Sequence, residues 1–149
     1  RDRIADAAAA AALYPLPCMT VDLGTATTYN VISAGREFLG GFIVPGVLTS
    51  LRAISAGTAQ LPPIAPEPPQ DLIGRNTVEA LNNGAMFGTA AMLDGLADRV
   101  EARLGAPLTV VATGGLAPHI LPCCRRPVRY DADLLFKGLA LLWERNATV

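Results

Sequence analysis

The 149-residue chain carries 12 Lys and Arg against 13 Asp and Glu, a formal net charge of -1, and is 51% hydrophobic. That length fits one domain with a substantial core, and near-neutral charge argues against a nucleic-acid binder driven by a basic surface. Pro15 and Pro17 break the best apolar stretch, so no membrane span is expected, and no basic-then-apolar pattern suggests a leader peptide.

In chain order, Ile4 to Tyr14 reads as a helix, because alanine has the best helix propensity and Pro15 ends the run. Its small side chains favour close packing, so it is expected to be buried. Three strands follow, Cys18 to Leu23, Thr28 to Ser33 and Arg36 to Ile43, as an antiparallel meander turned by Ala34-Gly35. Pro45 opens a second helix that runs to about Ala59. Five prolines between Leu61 and Gln70 exclude both helix and central strand and leave an extended connector. Asn76 or Thr77 caps a long helix over Val78 to Leu104, with Leu93, Leu96, Val100 and Leu104 on one face and Asp98, Arg99, Glu101 and Arg103 on the other. Gly105 and Pro107 stop it, Leu108 to Ala112 forms a buried strand, and Thr113-Gly114-Gly115 turns into a short helix. A weak strand lies near Val128, and Asp131 opens the last helix, to about Arg145. Strands first and alternating units after predict a mixed α/β sheet covered by helices, the order of a ribonuclease-H-like domain.

Several stretches carry chemistry. In Val21-Asp22-Leu23-Gly24-Thr25-Ala26-Thr27-Thr28 a strand meets an acid, a glycine and hydroxyl residues before a second strand begins. Such a turn can aim backbone N–H groups at a phosphate, with the acid beside it able to approach a cation; a polar-tipped hairpin is the competing reading. Asp2-Arg3 pairs a candidate base with an oxyanion holder, or simply a helix-start acid with its dipole. Thr113-Gly114-Gly115 lets backbone approach a flat ligand or phosphate, or serves packing alone. Gly74-Arg75-Asn76-Thr77 is a loop and cap, or a substrate clamp. Gly40-Gly41 marks a bulge or bend, His119 is structural or incidental, and Cys123-Cys124-Arg125-Arg126 reads as a solvated connector, with phosphate binding by its arginines the remote alternative. The three cysteines form no disulfide framework and fit a reducing cytoplasm; with one histidine and no Cys-x-x-Cys, a structural zinc site is not expected.

Seven segments together resemble the type III pantothenate kinases: Asp2-Arg3, Val21 to Thr28, Gly40 to Gly46, Thr58 to Pro62, Ile73 to Ala80, Ala112 to Ala117 and Asp133 to Leu139, in that order and spacing. The resemblance covers essentially the whole chain. It implies the actin and sugar-kinase superfamily fold, with residues 1–149 as one ribonuclease-H-like domain, the C-terminal one of a two-domain kinase. It implies ATP-dependent phosphorylation of pantothenate to 4'-phosphopantothenate, the first step of coenzyme A synthesis. Cytoplasmic location, a homodimer, Mg²⁺ and a monovalent cation, K⁺ or NH₄⁺, come with it. By position, Asp2 resembles the catalytic base, Arg3 and Thr77 pantothenate contacts, and Asp22 the monovalent-cation site. Gly24, Thr25 and Thr27 resemble the second phosphate loop, and Gly114 and Gly115 the adenosine wall. The family's first phosphate loop, Asp-x-Gly-Asn-Thr, has no counterpart in these residues. A second reading therefore stays open: a non-catalytic relative acting as a transcription accessory or a dimerisation module. The dimer contact is expected on the long helix.

Overall fold

The computed structural model describes residues 2–148. Its elements are α1 (Asp2–Leu13), β1 (Cys18–Leu23), β2 (Ala26–Ile32), β3 (Phe38–Pro45), α2 (Val47–Gly57), α3 (Thr77–Leu104), β4 (Thr109–Thr113), α4 (Ala117–Ile120), β5 (Arg129–Tyr130) and α5 (Leu134–Ala147). The five strands form one sheet in the order β3-β2-β1-β4-β5. β1, β2 and β3 are antiparallel neighbours, as the meander predicts, whereas β4 and β5 run parallel to β1.

Alternation along β1 divides the molecule into two layers. Met19, Val21 and Leu23 enter the larger core with Tyr29 and Val31 of β2, Val110 and Ala112 of β4, and Met86, Ala90, Leu93, Ala97 and Val100 of α3. The opposite residues meet α1 and α5. Cys18 and Ile32 pack on Ala7 and Ala10, and Val111 packs with Ala9 and Leu134. The alanine-rich helix is therefore buried, as expected, and its small side chains allow α5 very close. At Gly138 an added Cβ would fall 1.9 Å from the Ala5 carbonyl oxygen.

The element boundaries depart from the sequence reading at several points. Ser33 to Glu37 closes the β2–β3 turn through Ser33 N to Glu37 O and Arg36 N to Ser33 O, so β3 starts at Phe38 rather than Arg36. Pro45 ends this edge strand opposite Ala26 instead of opening a helix; an edge tolerates its missing N–H, and α2 begins at Val47. A register shift lies between Val31 and Ile32, facing the Gly40 region where a bulge was expected. Asn76 is the cap of α3: its side chain accepts from the Glu79 N–H, while Gly105 closes the helix in the left-handed conformation.

Asp131 does not open the last helix, which begins at Leu134. Its buried carboxylate accepts from the Tyr14 hydroxyl at 2.6 Å and from Lys137 Nζ at 2.8 Å. These bonds hold it below the usual carboxylate range despite burial, and Tyr14 is pushed up to about 12. Nor is Cys123 to Arg126 a solvated connector. The Arg126 guanidinium is largely buried against Asp98 at 2.7 Å and Glu101 at 3.1 Å, and the Arg125 and Arg126 N–H groups donate to Asp94. The acids assigned to the solvated face of α3 thus lock the segment after α4. Backbone and arginine hydrogen bonds lower the Glu101 carboxyl.

Candidate active site

The site forms where the carboxyl ends of β1 and β4 lie side by side. Asp22 and Thr113 are partners in that parallel pair. Asp22 follows Thr20 on the α1 side of the sheet. α1 runs against the direction of β1, with Ala10 packed near Cys18, so its first two turns reach the other end of the strand. There Asp2 and Asp6, one turn apart on α1, come within electrostatic reach of Asp22.

The three carboxyl groups differ in their surroundings. Asp2 is exposed, Asp22 half-buried and Asp6 only 1% exposed. Asp6 is pushed up to about 7 by burial first, then by the charges of Asp22 and Asp2. Burial and then the Asp2 charge raise Asp22. Among the described residues, Asp6 Oδ1 has no hydrogen-bond partner. The charges of Asp2 and Asp22 thus act on their neighbours, while among the described residues no three carboxylates are grouped closely enough to hold a metal ion. A Cβ added at Gly24 would sit 3.3 Å from Asp22 Oδ1, so the glycine leaves this oxygen uncrowded.

Arg3 is positioned by the sheet. Its Nε donates to Asn30 Oδ1 at 2.7 Å, and Asn30 Nδ2 donates to Thr20 Oγ1 at 3.1 Å. The guanidinium also lies 5.7 Å from the Phe38 ring centroid. No hydrogen bond among the described residues uses its two terminal nitrogens, which leaves a fork suited to a carboxylate or phosphate.

The turn between β1 and β2 exposes Gly24 and Thr25. It is pinned from behind: the Thr49 hydroxyl of α2 donates to the Thr25 carbonyl at 2.9 Å, and Gly46 lies against the same turn. Thr27 is placed differently. It pairs with Leu23 and is 1% exposed, so its hydroxyl faces the α3 core, while Thr28, paired with Asp22, shares the α1 side. Gly114 has φ +99°, and a Cβ there would fall 2.7 Å from the Leu23 backbone. The close approach of the two strand ends therefore requires glycine. Gly115 is exposed, with open space where a side chain would be.

Asp2, Arg3, Asp22, Gly24, Thr25, Gly114 and Gly115 are thus gathered around one end of the sheet. Thr77 stands apart on the exposed first turn of α3, beside a cap in which the Arg75 N–H donates to Glu79. A cavity of about 690 Å³ lies between the proline-rich connector and this helix start, and Asp2 and Asp22 are not among its lining residues. Asn82 and Asn83 hold that connector through the backbone of Glu67, Asp71 and Leu72. Sequence reasoning missed Asp6. The available signal was an acid one helical turn after Asp2, inside a run otherwise made of alanine.

A meander joined to parallel strands in this order, with helices on both faces, is the ribonuclease-H-like architecture of the actin and sugar-kinase superfamily. A solved structure of the ethanolamine utilization protein EutJ from Carboxydothermus hydrogenoformans shares the fold, with TM-score 0.57, 19% identity, and 94% of this chain and 53% of that one covered. A conserved putative Baf family transcriptional activator from Campylobacter jejuni aligns with TM-score 0.65 at 26% identity, over 96% of this chain and 65% of its own. The family model for type III pantothenate kinase matches residues 1–99. Curated type III pantothenate kinases of Hyphomonas neptunium and Acidothermus cellulolyticus are 42% and 43% identical over 145 residues, 97% of this chain and 57% of each relative. The chain belongs to the type III pantothenate kinase family, and it spans little more than half the length of these relatives.

Proposed function

We propose that this chain forms the base-bearing part of a cytoplasmic kinase that transfers the γ-phosphoryl group of ATP to the hydroxyl of pantothenate, the entry step to coenzyme A. The observation that carries this reading is the meeting of Asp2 and Asp22 with the Gly24-Thr25 and Gly114 turns at one end of β1. Asp2 is exposed and can take the alcohol proton as the new oxygen–phosphorus bond forms and the bond to ADP breaks. Backbone at Gly24 and Thr25 supports the leaving phosphates, and the open surface at Gly115 accepts the adenosine. The free arm of the Arg3 fork orients the pantothenate carboxylate. Thr77 would contact pantothenate only through approach of the α3 start from elsewhere in the assembly, and the Thr27 contact would be made through its backbone.

Asp22 is the carboxylate assigned to a monovalent cation, K⁺ or NH₄⁺, which when bound would offset repulsion between anionic nucleotide and anionic substrate; no group of three or more metal-ligating side chains surrounds it among the described residues. Mg²⁺ is assigned to the nucleotide, with no ligand among these residues. A homodimer through α3 is favoured by its exposed Gly84, Gly88, Ala91 and Met92 beside an apolar groove shared with Val47, Leu51 and Ile54 of α2.

The test is ADP release by the polypeptide extended to the relatives' full length, with MgATP and K⁺, with and without pantothenate. Pantothenate-dependent release is expected. Asp2→Asn is expected to lower turnover about 10²- to 10⁴-fold while sparing ATP binding. Near-full turnover in that variant would remove Asp2 from the role, and no pantothenate-dependent release from the unmutated polypeptide would favour a non-catalytic relative.

A further inference from the structure

Each strand of the meander contributes one residue to the seat of Arg3. Ala7 and Ala10 of α1 pack on Cys18 and Ile32. Arg3 lies one helical turn before Ala7, and Asn30 lies two residues before Ile32, so helix and strand, running in the same direction, bring the two together. Asn30 of β2 is directly across from Thr20 of β1, and both are fully buried. The Asn30 carboxamide accepts from Arg3 Nε at 2.7 Å and donates to Thr20 Oγ1 at 3.1 Å. From β3, the Phe38 ring lies with its centroid 5.7 Å from the guanidinium.

The amide can point only one way. A guanidinium has donors and no acceptor, so Oδ1 must face Arg3, and Nδ2 is left for the Thr20 hydroxyl oxygen. This has a geometric consequence. An arginine meets a carboxylate either side-on, through Nε and one terminal nitrogen, or end-on, through both terminal nitrogens. With Nε committed to Asn30, only the end-on approach is open. The second consequence is electrostatic. Arg126 is held by Asp98 and Glu101, which cancel its charge. Arg3 is held by a neutral amide and a neutral ring, and among the described residues it makes no ion pair. A carboxylate at position 30 would hold Nε equally well but would neutralise the fork. The carboxamide fixes the side chain and leaves its charge to a ligand.

We propose that Asn30 is the positioning residue of an anion seat: backed by Thr20 and flanked by Phe38, it presents the uncompensated Arg3 guanidinium end-on to a planar carboxylate. Asn30 acts through Arg3 and touches no ligand itself. Fixing the long side chain beforehand removes the ordering cost that a ligand would otherwise meet on binding. Assigning the carboxylate to pantothenate rests on the reading under Proposed function; the seat and its preference for a carboxylate do not.

The probe is propionate, the carboxylate end of pantothenate alone, titrated into this 149-residue chain while the Arg3 Nε–H signal is followed by NMR. The unmutated chain is expected to show slow Nε–H exchange and a saturable shift. Asn30→Leu fills the space without an acceptor, so Nε–H exchange should quicken about tenfold and propionate should bind about five- to tenfold more weakly. Asn30→Asp should keep Nε–H exchange slow yet weaken propionate about tenfold, because the acid cancels the charge of the fork. In an Arg3→Met background neither change should alter the residual binding. Should Asn30→Leu not fold, Asn30→Asp alone decides. Unchanged propionate binding in Asn30→Asp would mean that Asn30 serves packing only and would overturn the proposal, as would the lack of a saturable shift in the unmutated chain. Propionate saturation without pantothenate-dependent ADP release would sink the kinase reading and leave the seat standing.

Discussion

The two faces of the sheet are built on different principles. On the α3 side, long side chains such as Met19, Tyr29, Met86 and Leu93 interdigitate, and the helix stands off at a distance set by their bulk. On the α1 side, alanines and Gly138 bring two helices and the sheet close together, and the space that remains holds Asp6, Thr20 and Asn30. Hydrophobic burial stabilises the first face most. The second accepts the cost of buried polar groups, and it is the face that carries the candidate base and the Asp22 corner. The contrast separates a layer that holds the fold from a layer that arranges charges.

Three substitutions test this contrast. The largest effect is expected at the close contact on the α1 side. Gly138→Val puts side-chain carbon where the Ala5 carbonyl already stands, and is expected to cost about 3 kcal/mol or more, read as a lower urea midpoint. A loss under about 1 kcal/mol would mean that α5 is not pressed onto α1.

Next comes the buried acid. Unfolded, Asp6 loses its proton near the usual 3.8; folded, it keeps it until about 7. Between these values the folded state binds the extra proton, so the contribution is complete below 3.8, declines as pH rises, and is gone above about 7. A fall of a few kcal/mol, about 4 at most, is expected from this group across that window. Asp6→Asn should flatten this part of the profile in thermal melts from pH 4 to 8. An unchanged slope would show that Asp6 is solvated or paired.

The smallest effect is expected on the other face. Gly84 is exposed on α3 with nothing near its missing side chain, so Gly84→Ala should raise stability by about 0.8 kcal/mol through helix propensity. If α3 is the dimer contact, sedimentation will show weakened association in the same variant, which sharpens the assignment of the two faces. An unchanged association constant would move the contact elsewhere.

Much of the fold was legible because it depends on local signals. The alanine run, the apolar stretch before Asp22, the Asn76 cap and Gly105 each mark an element within a residue or two of where it lies. The Asp22 to Thr25 turn and Asp2-Arg3 were legible as candidates because they lie in contiguous residues and because seven segments kept their order and spacing; their roles stand as proposals. Pro45 and Asp131 were misread because local propensity allows a helix start at either. The edge pairing of Pro45 with Ala26, and the Tyr14 and Lys137 bonds to Asp131, involve residues distant in sequence or not yet placed.

By itself, then, the sequence determined the order of elements and the mixed α/β class, and it nominated Asp2, Asp22 and the Gly24 and Gly114 turns as a candidate site. Only the tertiary structure decided that Thr27 faces the core while Thr28 faces α1, that Arg126 is held by acids of α3, and that Asp6 is enclosed beside Asp2 and Asp22. The reason is that burial and electrostatic neighbours are properties of the surface packed against a residue. Helical or strand spacing says which residues share a face, but the charge and solvent they meet are supplied by a partner element far away in the chain.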